Sequence, residues 1–357
     1  MKIITQIIRF LVAFTFIFSG FVKLVDPIGT KIKMLEYFGS DVLNLTFLNP
    51  IALEISIFLI IVEFGLGVFL LFGIFSKFTS RSLLLLISVF LFLTWYSAYY
   101  NKVTDCGCFG DAIKLSVWET FYKNVILFFF ILWLNFHYKH IQPIFEKKLS
   151  KTLAYTLIFI GFILSLYSLY YLPVIDFRPY ALGKNIKQGM IIPENAPKPE
   201  FKEKWFYKIN GKIKEFTTAD EPWNIPGAEF IKRETQTISE GYVPPIHDFS
   251  IENEVEGDIT ENVLNADEVY LIISYNPSNI SPDALKKINT FAKKLKQKNK
   301  KVIGLFSETD ENLRKQLDFP LYLTDQTTLK TMIRSNPGIL KLHKGTIVEK
   351  KSWRSLP

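Results

Sequence analysis

The stretch NKVTDCGCFGDAIKLSVWETFYKN, residues 101–124, separates two long apolar runs and holds both cysteines of a 357-residue chain, Cys106 and Cys108, with Gly107 between them. A membrane's hydrocarbon core takes roughly 20 consecutive apolar residues to cross as a helix. The flanking runs, residues 82–100 and 120–136, have that character, and so do residues 3–25, 51–75 and 153–172. The first run is too long for a signal peptide, lacks a small-residue cleavage site and is followed by four more, so it reads as a retained helix.

The composition supports a chain of two halves. It is 49% hydrophobic with 33 Phe, yet 21% charged, and its mean hydropathy is +0.19. Residues 1 to about 172 carry the apolar runs, and residues 176–357 read as an ordinary soluble domain. The net charge of +8 comes from lysines flanking the runs and on solvated helices. No basic patch with interleaved aromatics stands out, so nucleic acid is not an expected partner.

Lysine and arginine in short loops mark the cytoplasmic side. Lys77 and Arg81 follow the second run, and Lys139, Lys147, Lys148 and Lys151 follow the fourth. Five spans put these loops and the N-terminus on the cytoplasmic face. The loop 26–50, the cysteine loop and everything after Leu172 then lie outside the cytoplasmic membrane, a periplasm in a two-membrane bacterium.

Four charges fall within spans: Arg9 and Lys23 on the first, Glu54 and Glu63 on the second. Such charges are costly and face a partner or a cavity. Counting depth at 1.5 Å per residue pairs Lys23 with Glu54 and Arg9 with Glu63. The sharper alternative is that Glu63 carries protons or contacts a quinone or substrate; water-filled crevices are a third.

An oxidising compartment favours a disulfide between Cys106 and Cys108. Closing so small a ring departs from relaxed geometry, with Gly107 supplying the backbone freedom. Strained, exposed disulfides suit exchange better than stapling, and so short a loop removes little unfolded-state entropy. Redox activity, an inert disulfide and free thiols all stay open. Zinc takes about four ligands, and the nearest histidines, His137 and His140, belong to the other face, so no metal site is expected.

The motif CGCFGD (106–111), followed by Trp118 and Lys123–Asn124, resembles the MauE-like branch of the DoxX superfamily; FSGFVKLVDPIG (18–29) and VEFGLGVFLLFGIFSK (62–77) add to the likeness, which covers about residues 1–140. The resemblance implies a four-helix membrane unit with a redox-active Cys106–Cys108 pair, supported by Gly107, Phe109, Gly110, Trp118 and Asn124. It also implies an association with the maturation of disulfide-containing exported proteins. The family has arginine before that asparagine; Lys123 departs from it, which puts in doubt a role needing a planar guanidinium. A relay to quinone commonly uses a second cysteine pair, absent from this sequence, so no cofactor is evident and quinone is unsupported at this level.

Beyond the four-helix unit, residues 141–175 divide into a cytoplasmic loop and the fifth span. Residues 176–245 read as linker and hairpin, turning at Asn210–Gly211, with connecting structure from Trp223. From residue 246, strand EVYLIISYN (268–276), a helix opened by Ser281 and Pro282, strand VIGLFS (302–307), two short helices and a hairpin turning at Lys344–Gly345 follow one another. This α/β order is that of a thioredoxin-like fold, and IRSNPGILKLHKGTIV (333–348) looks like the cis-proline segment of thioredoxins, with Pro337 in that place. GYVPPIHDFSI (241–251) resembles the opening of TlpA-like members. The place for the redox motif reads SYNPSNISPDAL (274–285), without cysteine, so this domain has no nucleophile for exchange. A polypeptide-binding groove is expected instead, lined by Ser278, Asn279, Ser281 and Pro337.

The expected architecture is therefore a helical membrane bundle followed by a degenerate thioredoxin-like extracytoplasmic domain. The expected role is in exported-protein biogenesis or thiol–disulfide homeostasis, with enzymatic activity as an oxidoreductase left open. Partners would be exported polypeptides or a separate thioredoxin-like protein. The alternative is a non-catalytic accessory subunit of an envelope secretion or assembly complex, with structural cysteines. A small-molecule carrier is disfavoured, because no inverted repeat is visible.

Overall fold

The computed structural model describes every residue except 104–106, 210, 240 and 254. Cys106, and with it the geometry of a Cys106–Cys108 bond, lies outside the described residues.

Six helices form the N-terminal half: α1 (Lys2–Val25), α2 (Pro27–Phe38), α3 (Ala52–Phe72), α4 (Ser76–Tyr100), α5 (Val117–Phe136) and α6 (Lys147–Tyr170). Among the described residues, α1, α4, α5, α6 and the segment Thr46–Phe72 containing α3 are long and apolar enough to cross a membrane. We read the chain as an integral membrane protein. The exception is α2, which occupies a segment expected as loop. Its start is written locally: Pro27 occupies the first turn, where its missing N–H costs nothing, and the Asp26 side chain accepts from the Gly29 N–H at 3.0 Å.

Glycines set the closeness of α1 and α3. A Cβ on Gly20 would lie 2.8 Å from Phe64 Cα, and one on Gly67 would lie 2.9 Å from the Ile17 nitrogen. Small residues that admit a neighbouring backbone are how membrane helices pack. These contacts place residue 20 level with 64 and residue 17 level with 67.

Outside the bundle, a short α7 (Ile186–Gly189) precedes a three-stranded antiparallel sheet, β2-β1-β3, of β1 (Glu200–Ile209), β2 (Lys212–Thr217) and β3 (Glu229–Ser239). The β1–β2 hairpin agrees with the alternation in the sequence, although Asn210 at its turn lies outside the described residues. The β3 strand replaces the expected connecting segment; it is exposed along its length, so no burial pattern announces it.

The remaining elements are β4 (Glu252–Asn253), β5 (Gly257–Asp258), α8 (Thr260–Leu264), β6 (Val269–Ser274), α9 (Pro282–Gln297), β7 (Lys301–Phe306), α10 (Glu311–Gln316), β8 (Leu321–Leu323), α11 (Gln326–Met332), β9 (Gly338–His343) and β10 (Thr346–Ser352). They build a mixed seven-stranded sheet ordered β10-β9-β6-β7-β8-β4-β5. β6, β7 and β8 run parallel, and β9 runs antiparallel to β6. Every residue of β6 is buried. Leu271 and Ile273 join one apolar cluster with Leu329 and Met332, while Tyr270 and Ile272 join another with Ile288 and Ala292. That alternation is the period of a strand covered on both faces. The α9 helix opens as expected: Ser281 accepts from the Ala284 N–H at 3.2 Å, and Pro282 occupies the first turn. The Asn336–Pro337 peptide is cis.

Residues expected as linker belong to this core. Tyr180 and Ile186 pack in it, and the Ile186 N–H donates to the Gly345 carbonyl at 2.9 Å. The turn-rich look of residues 173–189 hides a segment held by the β9–β10 hairpin.

Candidate functional site

The site is assembled at the end of the bundle where α1 stops and the cysteine loop begins. Lys23 lies on the last turn of α1, close to the level of Glu63 on α3 by the register that Gly20 sets. Its Nζ donates to the two Glu63 carboxylate oxygens at 3.0 and 2.7 Å. Both side chains are nearly buried, 11% and 4% exposed. A buried ion pair carries a large desolvation cost and survives where further hydrogen bonds support it. Here Ser19, one turn before Lys23, supplies them. Its Oγ lies 2.6 Å from Glu63 Oε1, 2.5 Å from the Cys108 carbonyl oxygen and 3.2 Å from Lys23 Nζ. A hydroxyl has one proton to donate, so Ser19 serves either Glu63 or the Cys108 carbonyl at a given moment. The cysteine loop is thereby wired to the ion pair.

These contacts correct the expected pairings. Glu54 is exposed in the first turn of α3, where the helix dipole favours a carboxylate. It stands about seven residues, roughly 10 Å, further out than Lys23, because α1 ends at Asp26 while α3 continues past that level. Arg9 does not meet Glu63. Its guanidinium donates to the Leu70 and Leu71 carbonyls at 2.8 and 2.7 Å and to the Gln142 carbonyl at 2.9 Å. It adds a donor to the last-turn carbonyls of α3, of which Leu70 also accepts from the Gly73 N–H at 3.2 Å.

Gly107 and Gly110 hold positive φ, +62° and +49°, a region that glycine enters at little cost. Phe109 packs on Phe18, with ring centroids 5.6 Å apart, beneath the Lys123 ammonium at 4.3 Å. Lysine here contacts a ring face rather than forking to an anion. Asn124 is buried and donates to Thr94 Oγ1 at 3.3 Å, tying α5 to α4. Trp118 is exposed beside Phe121 and Tyr122. Cys108 lines a narrow crevice between α1, α2, α3 and α4, together with Lys23, Glu63, Tyr37, Ile60 and Phe90.

The C-terminal domain sits directly over this loop. Arg334, buried and three residues before Pro337, donates from Nε to both Asp26 oxygens at 2.9 Å, and its Nη2 lies 2.7 Å from Asp26 Oδ2. The same nitrogen stands 3.9 Å from Asp111, the last residue of the CGCFGD motif. Beside it, Asp176 accepts from Arg178 and from Lys350, each at 2.7 Å. The consequences for ionisation differ from group to group. Burial opposes ionisation of Asp26, yet Arg334 and Arg178 outweigh it and hold the carboxyl below its usual range. Burial, with Asp26 nearby, raises Asp111. Asp176 is held low against burial by its two cations. Lys350, which shares that carboxylate with Arg178, is pulled by burial and by Arg178 down to about 8.

The four expected groove residues do not come together in one open groove. Pro337 is buried, and the Ser281 hydroxyl is used by the α9 cap. Ser278 and Asn279 are exposed on the turn before α9, Ser278 facing Glu308 and Asn312 in a shallow hollow. At residues 274–276, after β6, Asn336 locks the backbone: its Oδ1 accepts from Ser274 Oγ at 2.8 Å and the Asn276 N–H at 3.2 Å, and its Nδ2 donates to the Asn276 carbonyl at 2.7 Å. Sequence reasoning missed Ser19, Asp26, Asp111 and Arg334. Ser19 and Lys23, four residues apart, share a helix face, and Asp26–Pro27 is a helix-start signal; Arg334 carries no local signal, because its partner is 308 residues away.

The family model of methylamine utilisation protein MauE matches residues 1–137. The chain is 30% identical over 132 residues to Protein TlpB of Flavobacterium psychrophilum, 36% of this chain and 35% of that protein. It thus spans about a third of the curated relative's length. No solved structure matches the chain significantly.

Proposed function

We propose that the chain is a membrane component of thiol–disulfide chemistry serving exported proteins, with Cys106 and Cys108 as the exchanging pair. The observation that carries this reading is the convergence on one short loop. Ser19 holds the Cys108 carbonyl, the Lys23–Glu63 pair lies behind it, and Arg334 of the C-terminal domain reaches Asp111 in front of it. A structural disulfide alone has no need of a buried ion pair and a docked domain at its edge. The likeness of residues 1–137 to MauE supports the same reading.

The C-terminal domain is, on this reading, a thioredoxin-like fold that has lost its own dithiol and presents partners to the membrane pair. Its support is the parallel β6–α9–β7 unit with the antiparallel β9–β10 hairpin on the other side of β6. The loop and this domain lie at the same end of the bundle, opposite to the end where Gln6 meets His140. With the lysine bias of the other loops, this favours an extracytoplasmic location for both, in the cytoplasmic membrane. The Asn336 lock at residues 274–276 favours a presenting role over a catalytic one for that domain.

In exchange, one thiolate attacks a partner disulfide and the other resolves the mixed disulfide. Cys106→Ser and Cys108→Ser, expressed separately in native membranes, therefore test the reading. One of the two is expected to accumulate a reducible adduct with an exported protein or a thioredoxin-like protein. Absence of an adduct from both variants would overturn it and leave the accessory-subunit role.

A further inference from the structure

We infer that the hollow where α6 leaves the bilayer and meets β10 is a phospholipid site, holding the headgroup phosphate beside Arg354 and Lys351 with the acyl chains lying along α6. The inference rests on the chain being a membrane protein and is independent of the exchange reading of the cysteines.

The hollow has a volume of about 710 Å³, room for a headgroup and the glycerol beneath it. One wall is the end of a span, with Tyr167, Tyr171 and Val174. The 24 residues of α6 rise about 36 Å, against a hydrocarbon core of about 30 Å, so its last turn stands among headgroups. Tyrosine is enriched in that layer. Ile160, Ile163, Tyr167 and Tyr171 follow one another at spacings of three and four, and all are exposed. One stripe of the helix therefore runs from the hydrocarbon up into the hollow. Leu182 and Val348, also exposed, carry the apolar surface on to the C-terminal domain. That domain follows the span with no free linker, since Tyr180 and Ile186 already belong to its core. This rim is thus held at the membrane surface, and lipid is what covers it.

The other wall, from β10 and the turn after it, is polar and carries Lys350, Lys351 and Ser355. Asp176 and Glu349 also line the hollow, and each is already matched. Asp176 accepts from Arg178 and from Lys350, each at 2.7 Å, and Glu349 pairs with Lys351. Arg354, next to Ser355 at the rim, is the cation left over. Its guanidinium lies 5.1 Å from the centre of the Tyr170 ring and 4.6 Å from that of Trp353, and among the described residues no carboxylate pairs with it. Seated at the level where α6 ends, it offers five N–H donors in a planar fork, the geometry that takes a phosphate through two parallel bonds. Lys351 has three donors and one paired carboxylate, which leaves it free to share a phosphate oxygen. Asp176 also joins this site to the seat of the domain: its partner Arg178 donates from Nη1 to the Thr331 carbonyl at 3.0 Å, three residues before Arg334. A bound lipid therefore steadies the network that holds the domain over the cysteine loop.

The test uses the delipidated full chain in detergent and counts bound ligands by native mass spectrometry. Dioleoylphosphatidylglycerol is compared with dioleoylglycerol, which has the chains without the phosphate, and with inorganic phosphate, which has the phosphate without the chains. One phosphatidylglycerol is expected to bind ahead of all others, roughly tenfold or more tighter than dioleoylglycerol, and millimolar phosphate is expected not to displace it. Arg354→Gln combined with Lys351→Gln is expected to weaken it by roughly tenfold or more. Ser355→Trp, which fills the hollow from an exposed position and removes no charge, is expected to weaken it likewise, and it keeps the test open where the charge variant does not fold. Lys294→Gln combined with Lys296→Gln, an equal charge change on the exposed side of α9, is the control and is expected to bind as the parent does. Parental affinity in either folded variant of the hollow would overturn the site. Equal binding of dioleoylglycerol, or displacement by phosphate, would overturn the phospholipid assignment in favour of a chain-binding surface or an anion site.

Discussion

At the scale of single residues, the membrane site is a charge balance. Glu63 is buried and its carboxylate depends on Lys23. Removing one member of such a pair leaves an uncompensated charge, and the penalty is typically larger than the net worth of the pair. Lys23→Met is therefore expected to lower stability by roughly 3–5 kcal/mol, and Lys23→Met with Glu63→Leu to recover most of that loss; detergent-titration unfolding of the single and double variants measures both. The charged residues themselves are legible in the sequence, because a lysine and two glutamates in apolar runs stand out. Their pairing is not. Depth counted from helix ends assumes that the ends are level, whereas Gly20 against Phe64 shows α3 passing α1 by about two turns. Cys108 is legible as a site, and what surrounds it is not: Ser19 announces itself only once Lys23 and the Cys108 carbonyl are seen together.

At the scale of elements, hydropathy locates every span, because each run is long and interrupted by lysine-rich or turn-rich loops. Interfaces between spans rest on residues with no hydropathic signal. Gly20 is one. Gly20→Val has to push a side chain into the Phe64 backbone, so α1 and α3 must separate, and the Lys23–Glu63 contact goes with them. The expected result is a lower yield of folded protein and an earlier midpoint in detergent-titration unfolding. Gly65→Ala is the control: its Cβ would meet the Ile158 side chain at 3.5 Å, an ordinary contact, and it is expected to unfold with the parent. The C-terminal domain shows the complementary lesson. β6 and β7 are continuous apolar strands and declare themselves as such. β3 is exposed on its whole length, carries no alternation, and is recognisable only through its pairing with β1. α2 is short and weakly apolar, so hydropathy passes over it, although Asp26 and Pro27 together mark a helix start.

At the scale of the whole molecule, one buried arginine, Arg334, ties the C-terminal domain to Asp26 at the start of α2 and approaches Asp111 of the cysteine loop. Arg334→Ala is expected to cost roughly 3 kcal/mol in the docked state and to speed proteolysis of residues 173–178, while cleavage within β6 and β7 stays as slow as in the parent. The neighbouring Lys350 adds a pH dependence. Its pKa in the folded chain is about 8 against 10.5 when free. The unfolded chain therefore binds more protons between those values, and stability rises with pH across that window. Thermal unfolding near the bottom and near the top of the window checks this, and Lys350→Met is expected to remove the rise. The long-range contact between Arg334 and Asp26 is illegible in the sequence, since the two residues stand 308 positions apart. What the docked domain covers is the cysteine loop, and the exchange reading of Cys106 and Cys108 is tested most directly by their redox state in native membranes, read by differential thiol labelling across a graded series of dithiol–disulfide buffers. A reversible transition from dithiol to disulfide within the range set by glutathione buffers is the expected result. A pair locked in one state throughout that range would contradict it.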